Sequence, residues 1–385
     1  MADLLLWLIS GFVLLAWVVR ALQFRQYGRT ALRLDRAPAD GEEALPPLSV
    51  VVPARDEEAT VGEAMRTLLA LAYPDLEIIA VDDRSTDRTG AILDSLAAED
   101  PRLRVVRVRE LPPGWIGKNH ALHLGGLRAR GEYILFTDAD VHFEPTALRR
   151  AVRAARRRDL DHLVVLPDVR LEGFWETALV TYFAVAFQFA FLPWQIADPR
   201  SKAYVGVGAF NLVRAAAYRR AGGHAALPMD VLDDVKLGKR LKEAGGRQAC
   251  GFGEGMVRVR WAVGARGVIR GLDKNAFAVF GFRPGPVVVS IGMVLLLVVW
   301  PGAGLFVGPW GARLLCAGTL ASMAWIVRMI PPAPGVSPLY GLCFPAAALL
   351  FAYAILRSMV GAYRRGGVVW RGTLYPLADL RRGVV

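Results

Sequence analysis

The sequence predicts an α/β protein held to a membrane, and three observations carry that expectation. Between Leu48 and Thr137, short apolar strands alternate with segments of helical periodicity. Uncharged apolar runs flank this region on both sides, and carboxylates follow directly on three of the strands. Strand–helix alternation implies a mostly parallel sheet with right-handed crossovers. Sheets of that kind bind ligands beyond the carboxyl ends of their strands.

The totals narrow the class. A chain of 385 residues allows one or two domains. It is 54% hydrophobic with a net charge of +12, mostly from Arg. Those arginines flank apolar segments instead of interleaving with aromatics on one face. This favours a membrane surface and ranks nucleic acid low. Cys250, Cys316 and Cys343 are the only cysteines and form no C-x-x-C spacing, which excludes a disulfide scaffold and argues against zinc.

Taken in order, residues 4–19 form an uncharged run bounded by Asp3 and Arg20. Extended to Leu22, it reaches the roughly 20 residues that a span needs. Arg20, Arg25, Arg29, Arg33 and Arg36 follow, so residues 1–24 read as an uncleaved anchor with the next segment in the cytoplasm. Residues 25–47 read as a basic linker, turning Pro- and Gly-rich at its end, and 48–282 as the catalytic domain. Strands are expected at 48–53, 76–81, 103–108 and 133–137, with helices at 57–72, 86–98 and 119–129.

Residues 174–197 are apolar and rich in Phe, Tyr and Trp, and an interfacial position is expected for them, since a single crossing would separate Asp138 and Asp140 from Asp233 and Asp234. Residues 203–222 read as a strand-like stretch with Gly206 and Gly208, then a helix. Asp233-Asp234 open a further helix that Gly245-Gly246 stop. Val257–Trp261 alternates like a strand. Apolar candidates at 287–307, 312–330 and 337–356 make 283–358 a membrane region, and 359–385 a basic cytoplasmic tail. Four spans would place that tail outside, so the charge argument and the span count conflict. The Pro-broken 331–345 neighbourhood is the most suspect, and the number of spans stays open.

The chemistry concentrates at Asp138-Ala139-Asp140. Residues i and i+2 of a strand share a face, so the two carboxylates can converge. Acidic oxygens at a strand end suit a hard divalent cation that bridges a diphosphate. Asp56-Glu57-Glu58 and Asp82-Asp83 end two other strands on the same rim. By itself each cluster reads as an acidic turn, and Asp233-Asp234 as dipole-complementing acids. Together they read as a site.

These landmarks resemble a membrane-bound family-2 glycosyltransferase of GT-A fold. The resemblance rests on Val51-Val-Pro-Ala-Arg-Asp-Glu-Glu58, Val81-Asp-Asp-Arg-Ser-Thr-Asp87, Trp115-Ile-Gly-Lys-Asn-His-Ala-Leu122, Thr137-Asp-Ala-Asp-Val141, Asp233-Asp234 and Arg260-Trp261. The Trp115 block and the late Trp370–Tyr375 stretch are most similar to the hopene-associated and carotenoid lipid glycosyltransferases. The resemblance implies a nucleotide-diphosphate sugar donor, a Mg²⁺ or Mn²⁺ cofactor and a lipid acceptor. It implies a multi-pass protein of the inner (cytoplasmic) membrane, its catalytic domain facing the cytoplasm. Asp140 would be the first metal ligand, with Asp138 its partner nearer the ribose. Pro53, Asp56 and Asp83 would line the nucleotide, and Arg55 and Lys118 would contact the diphosphate. Asp234 would be the base of an inverting transfer, with Asp233 beside it. Arg260-Trp261 matches the end of the Q-x-x-R-W signature of processive synthases. Val257 stands at the Gln position, a departure that favours single transfer. A polysaccharide synthase and a catalytically silent scaffold remain the alternatives.

Overall fold

The computed structural model describes residues 1–41, 43–329 and 336–383. They fall into two compact units. A sheet unit comprises Ala31–Val169, Phe191–Arg260 and Trp370–Val385, and a helical unit Met1–Thr30, Arg170–Ala190 and Trp261–Val369.

Eleven strands of the sheet unit are numbered in chain order: β1 Leu32–Arg33, β2 Leu48–Ala54, β3 Leu76–Asp83, β4 Leu103–Val108, β5 Tyr133–Phe136, β6 Val141–Phe143, β7 His162–Leu166, β8 Asp168–Val169, β9 Asn211–Arg214, β10 Gln248–Phe252 and β11 Val257–Val259. Eight of them form one sheet in the order β1-β10-β7-β9-β5-β2-β3-β4. Only β9 runs antiparallel to its neighbours, β5 and β7. The rest pair parallel, as expected. The four expected strands are β2 to β5. Their near-continuous Val, Ile and Leu content suits strands covered on both faces, and Val50, Val51, Ile78, Ile79 and Leu135 are fully buried. Truncating one such side chain, Leu135→Ala, costs about 2–5 kcal/mol.

Boundaries differ where local pattern and tertiary context compete. Residues 203–210 form no strand; regular structure resumes at β9 and the helix Ala215–Arg220. The helix Ala147–Arg157 gave no sequence expectation, because it buries mostly Ala and an arginine. Its buried Arg153 donates to the carbonyls of Ala39, Gly41 and Glu43, and Arg150 to those of Asp35 and Ala37. The Pro- and Gly-rich end of the expected linker is thereby strapped along this helix. Backbone carbonyls there have no strand to satisfy them, and guanidinium donors fill that role.

Five helical stretches are long and apolar enough to cross a membrane, by length and composition: Ala2–Thr30, Phe174–Gln195, Pro284–Ala303, Trp310–Met329 and Pro338–Arg365. They include all four expected spans and the aromatic segment. Half of that segment's most apolar window is buried within the protein, against 17% for Ala2–Thr30. In the helical unit, Leu295–Val299 form a π-turn, and Trp17 Nε1 donates to the Leu297 carbonyl at 2.7 Å. An indole in this place gives a carbonyl of the widened turn a partner where lipid would offer none. Residues 331–335 of the suspect neighbourhood lie outside the described residues.

Candidate active site

Most of the expected site residues meet beyond the carboxyl ends of β2, β3 and β5, at the rim where α/β sheets bind ligands. Thr137 Oγ1 donates to the Ala209 carbonyl at 2.8 Å, and Asp138 N to the Gly208 carbonyl at 3.1 Å. These bonds fix the turn that projects Asp138 and Asp140 from β5. Burial pushes the Asp140 carboxyl up to about 6, and the charges of Asp138 and Glu57 push the same way. Crowded acids of this kind fit a divalent cation, whose charge relieves their repulsion.

Lys118 sits in the first turn of the helix Gly117–Arg128 and faces these acids. Its Nζ lies 2.7 Å from Asp138 Oδ1 and 3.7 Å from Asp233 Oδ2. Burial alone would lower its pKa, but the charges of Asp138, Asp233 and Asp234 hold it above the usual lysine range. Those charges favour the protonated ammonium. Asn119 reaches across to the carbonyls of Leu227 and Asp230, and Ile116 N donates to the Pro228 carbonyl. One turn thus anchors the loop that leads into the helix Asp233–Glu243.

Asp234 accepts from Gly208 N at 2.7 Å through Oδ2, and from its neighbour Val235 N through Oδ1. Burial raises its pKa, while Lys118 and the Val235 bond oppose the rise. Two close approaches set its place. A Cβ on Gly206 would fall on the Asp234 carbonyl, and one on Gly208 would lie 2.5 Å from Asp138 Oδ2. At Gly206 the obstruction is backbone and only glycine fits, whereas at Gly208 a Cβ would have to displace the Asp138 carboxylate.

A second group occupies the ends of β2 and β3. Asp83 is 3% exposed and takes a two-pronged bond from Arg84, at 2.8 and 3.1 Å. Arg55 Nη1 lies 3.7 Å from the same carboxylate, and its Nε 3.9 Å from Asp56. Asp56 adopts a positive φ of 52° and accepts from Thr86 N at 2.7 Å. Pro53 lies within β2, opposite Val81. His120 is buried with its ring edge-on to Trp115, and Nδ1 has no hydrogen-bond partner among the described residues.

Arg260 follows β11, whose Val259 pairs with Val141 of β6. Val141 directly follows Asp140 in the chain. Trp261 belongs to the helical unit, where its ring stacks on Phe183 with centroids 4.6 Å apart. Val257, at the Gln position of the processive signature, is fully buried.

The late stretch supplies residues that the sequence placed only within a motif. Tyr375 Oη accepts from Gly117 N at 3.1 Å and helps to hold the Arg84 pKa above its ordinary value. Arg371, itself at a positive φ of 47°, pairs with Glu57 and donates to the Asp56 carbonyl. Asn119, Gly206, Gly208, Arg371 and Tyr375 escaped assignment because neutral, glycine and distant residues carry no local chemical signal. The two glycines were the one visible hint.

The profile "Glycosyl transferase family 2" matches residues 49–220. The beta-monoglucosyldiacylglycerol synthase of Synechocystis sp. is 39% identical over 148 residues, 36% of this chain and 30% of that protein. The matched stretch thus spans less than a third of that relative's length. The 4,4'-diaponeurosporenoate glycosyltransferase of Staphylococcus aureus is 23% identical over 343 residues, 86% of this chain and 88% of its own. Among solved structures, a mannosyltransferase from Pyrobaculum calidifontis, in complex with GDP-Man and Mn2+, superposes with a TM-score of 0.53 at 20% identity. It covers 93% of this chain and 99% of its own, a likeness of fold. With its mostly parallel sheet and the acids at its rim, the chain carries a glycosyl transferase family 2 domain over residues 49–220 and has a GT-A-like fold.

Proposed function

We propose that this protein transfers one sugar, with inversion, from a nucleotide-diphosphate sugar to a lipid acceptor, using Mg²⁺ or Mn²⁺. The observation that carries the reading is the convergence of Lys118, Asp138, Asp140, Asp233 and Asp234 in one pocket rim. Asp140 and Asp138 would hold the cation, which when bound stabilises the charge developing on the diphosphate. Lys118 supplies a second positive charge for the same oxygens. Arg55, Asp56, Pro53 and Asp83 line the nucleotide end, and Arg260 borders the acids.

Asp234 takes the proton from the attacking hydroxyl. Its raised pKa suits a base that must hold a proton once it has received one. Asp233, 3.7 Å from Lys118 Nζ, helps to keep the ammonium in place. The lipid acceptor is supported by the names of the Synechocystis and Staphylococcus relatives and by the five apolar helices. A cytoplasmic face for the sheet unit is supported by the arginines after the first helix. The buried Val257 supports single transfer over polymer synthesis.

The test is transfer by detergent-solubilised protein from a panel of labelled nucleotide sugars, with Mg²⁺ or Mn²⁺, to diacylglycerol and carotenoid acids. Label in one lipid band, dependent on metal and on Asp234, supports the reading. A high-molecular-weight product replaces it with a synthase. Failure to bind any donor refutes it.

A further inference from the structure

The helix Gly264–Asn275 of the helical unit plays no part in the site above. It is amphipathic, with its apolar face turned into the protein. Val268 is fully buried and Leu272 nearly so. The helix is fastened at both ends. Gly264 N donates to Glu176 at 2.5 Å, and Ser358 Oγ donates to the Asp273 carbonyl at 2.6 Å. The one acid on the helix, Asp273, pairs with Arg357 at 2.9 Å.

At about 100° per residue, Arg266 and Arg270 project roughly 160° and 200° from Val268, opposite the buried face. Both are exposed, and neither comes within ion-pair distance of an acid among the described residues. Exposed apolar residues frame them. Val263 precedes the helix and is 68% exposed, and Val279 follows it and is 50% exposed. Phe174 and Trp175 are also exposed, next to the Glu176 that holds the helix start. The next apolar stretch begins at Pro284, nine residues after Asn275. Two exposed cations, Arg270 also feeling the Asp273 charge, on a helix whose flanks expose Val, Phe and Trp beside a span start match the chemistry of headgroup depth, where apolar and anionic groups adjoin.

We propose that Arg266 and Arg270 form a docking surface for anionic phospholipid headgroups. The proposal rests on the membrane placement above and is independent of the reaction. The fixed helix spaces two guanidinium forks one turn apart, and each can grip phosphate oxygens in bidentate fashion.

The test uses the full chain in nanodiscs of mixed phosphatidylcholine and phosphatidylglycerol. Energy transfer is read from its tryptophans to dansyl-labelled versions of either lipid. The wild type is expected to favour the labelled phosphatidylglycerol, with a preference that falls in high salt. Arg266→Gln with Arg270→Gln lowers the preference by about fivefold per charge removed. Arg266→Lys with Arg270→Lys, which keeps the charge, retains most of it and shows that the helix still folds. No preference in the wild type overturns the proposal. So does an equal loss from Arg364→Gln with Arg365→Gln, which would mark a diffuse field. A chain that enters neutral nanodiscs without preferring either lipid refutes the docking surface alone. One that enters none refutes the membrane placement as well.

Discussion

Lys118 and Asp138 are joined at 2.7 Å, a lysine from a helix start closing on a carboxylate from a strand end. In the absence of donor this ammonium compensates acids that a divalent cation would also compensate. On the proposed mechanism the two positive charges would compete in the resting protein and cooperate on a diphosphate. Lys118→Gln is therefore expected to bind Mn²⁺ more tightly without donor. Its kcat/KM falls by about 10²–10³-fold, as when one preorganised donor to a developing anion is removed. Calorimetric Mn²⁺ titration and steady-state kinetics read the two effects. Weaker metal binding in the variant would contradict the competition.

Asp234→Asn keeps the shape and the bond from Gly208 N but removes the basic oxygen. Donor affinity is expected to stay within about twofold while kcat falls by about 10²–10⁴-fold. Donor binding by fluorescence, beside transfer rates, separates the two. A parallel loss of donor affinity would move Asp234 from base to binding residue.

Gly206→Ala tests whether backbone proximity positions the base. The added methyl meets the Asp234 carbonyl, a backbone atom that cannot rotate away. Overpacking at this contact costs about 1–3 kcal/mol. The helix start should shift with it, so kcat falls more than the melting temperature alone explains. Gly271→Ala, with open space around its Cβ, is the control and should leave kcat unchanged.

Tyr375→Phe removes the acceptor for Gly117 N and a group that interacts with Arg84. Net loss of one such hydrogen bond is about 0.5–1.5 kcal/mol. The donor KM is expected to rise several-fold with kcat little changed, because Arg84 holds Asp83 and not the reacting groups. An unchanged KM would show that the late stretch only packs.

His162 and His224 are buried and neutral, their pKa values pushed down by burial to about 4 and about 3. Their unfolded values lie near 6.5, so the unfolded chain takes up protons that the folded protein refuses. Their contribution is fully present above pH 6.5 and is lost as pH falls toward 4. Asp140, pushed up to about 6, works in the opposite sense over part of that window. Comparison with a variant isolates the histidine term. His224→Gln should melt lower at neutral pH and lose less on going from about pH 7 to pH 5. An equal pH slope in both proteins would remove His224 from the linkage.

Local pattern was sufficient for much of this protein. The apolar runs of β2 to β5 specified a parallel sheet, because strands covered on both faces need no alternation. Asp138, Asp140, Asp56 and Asp83 could be placed on one rim from their positions after those strands alone. Apolar length and Arg flanks marked the membrane candidates, since lipid demands long uninterrupted segments. The sequence by itself thus determined the architecture of the sheet and the acids at its edge. Only the tertiary structure decided how those acids are compensated. Lys118 reaches Asp138 across 20 positions of chain and Asp233 across 115, and Asp234 is set by glycines that have no side chain to read. Arg371 and Tyr375 arrive on a stretch more than 250 residues from Gly117 and Glu57. Charge pairing and close backbone approach are properties of distance in space, and sequence spacing reports them only within a single strand or turn of helix.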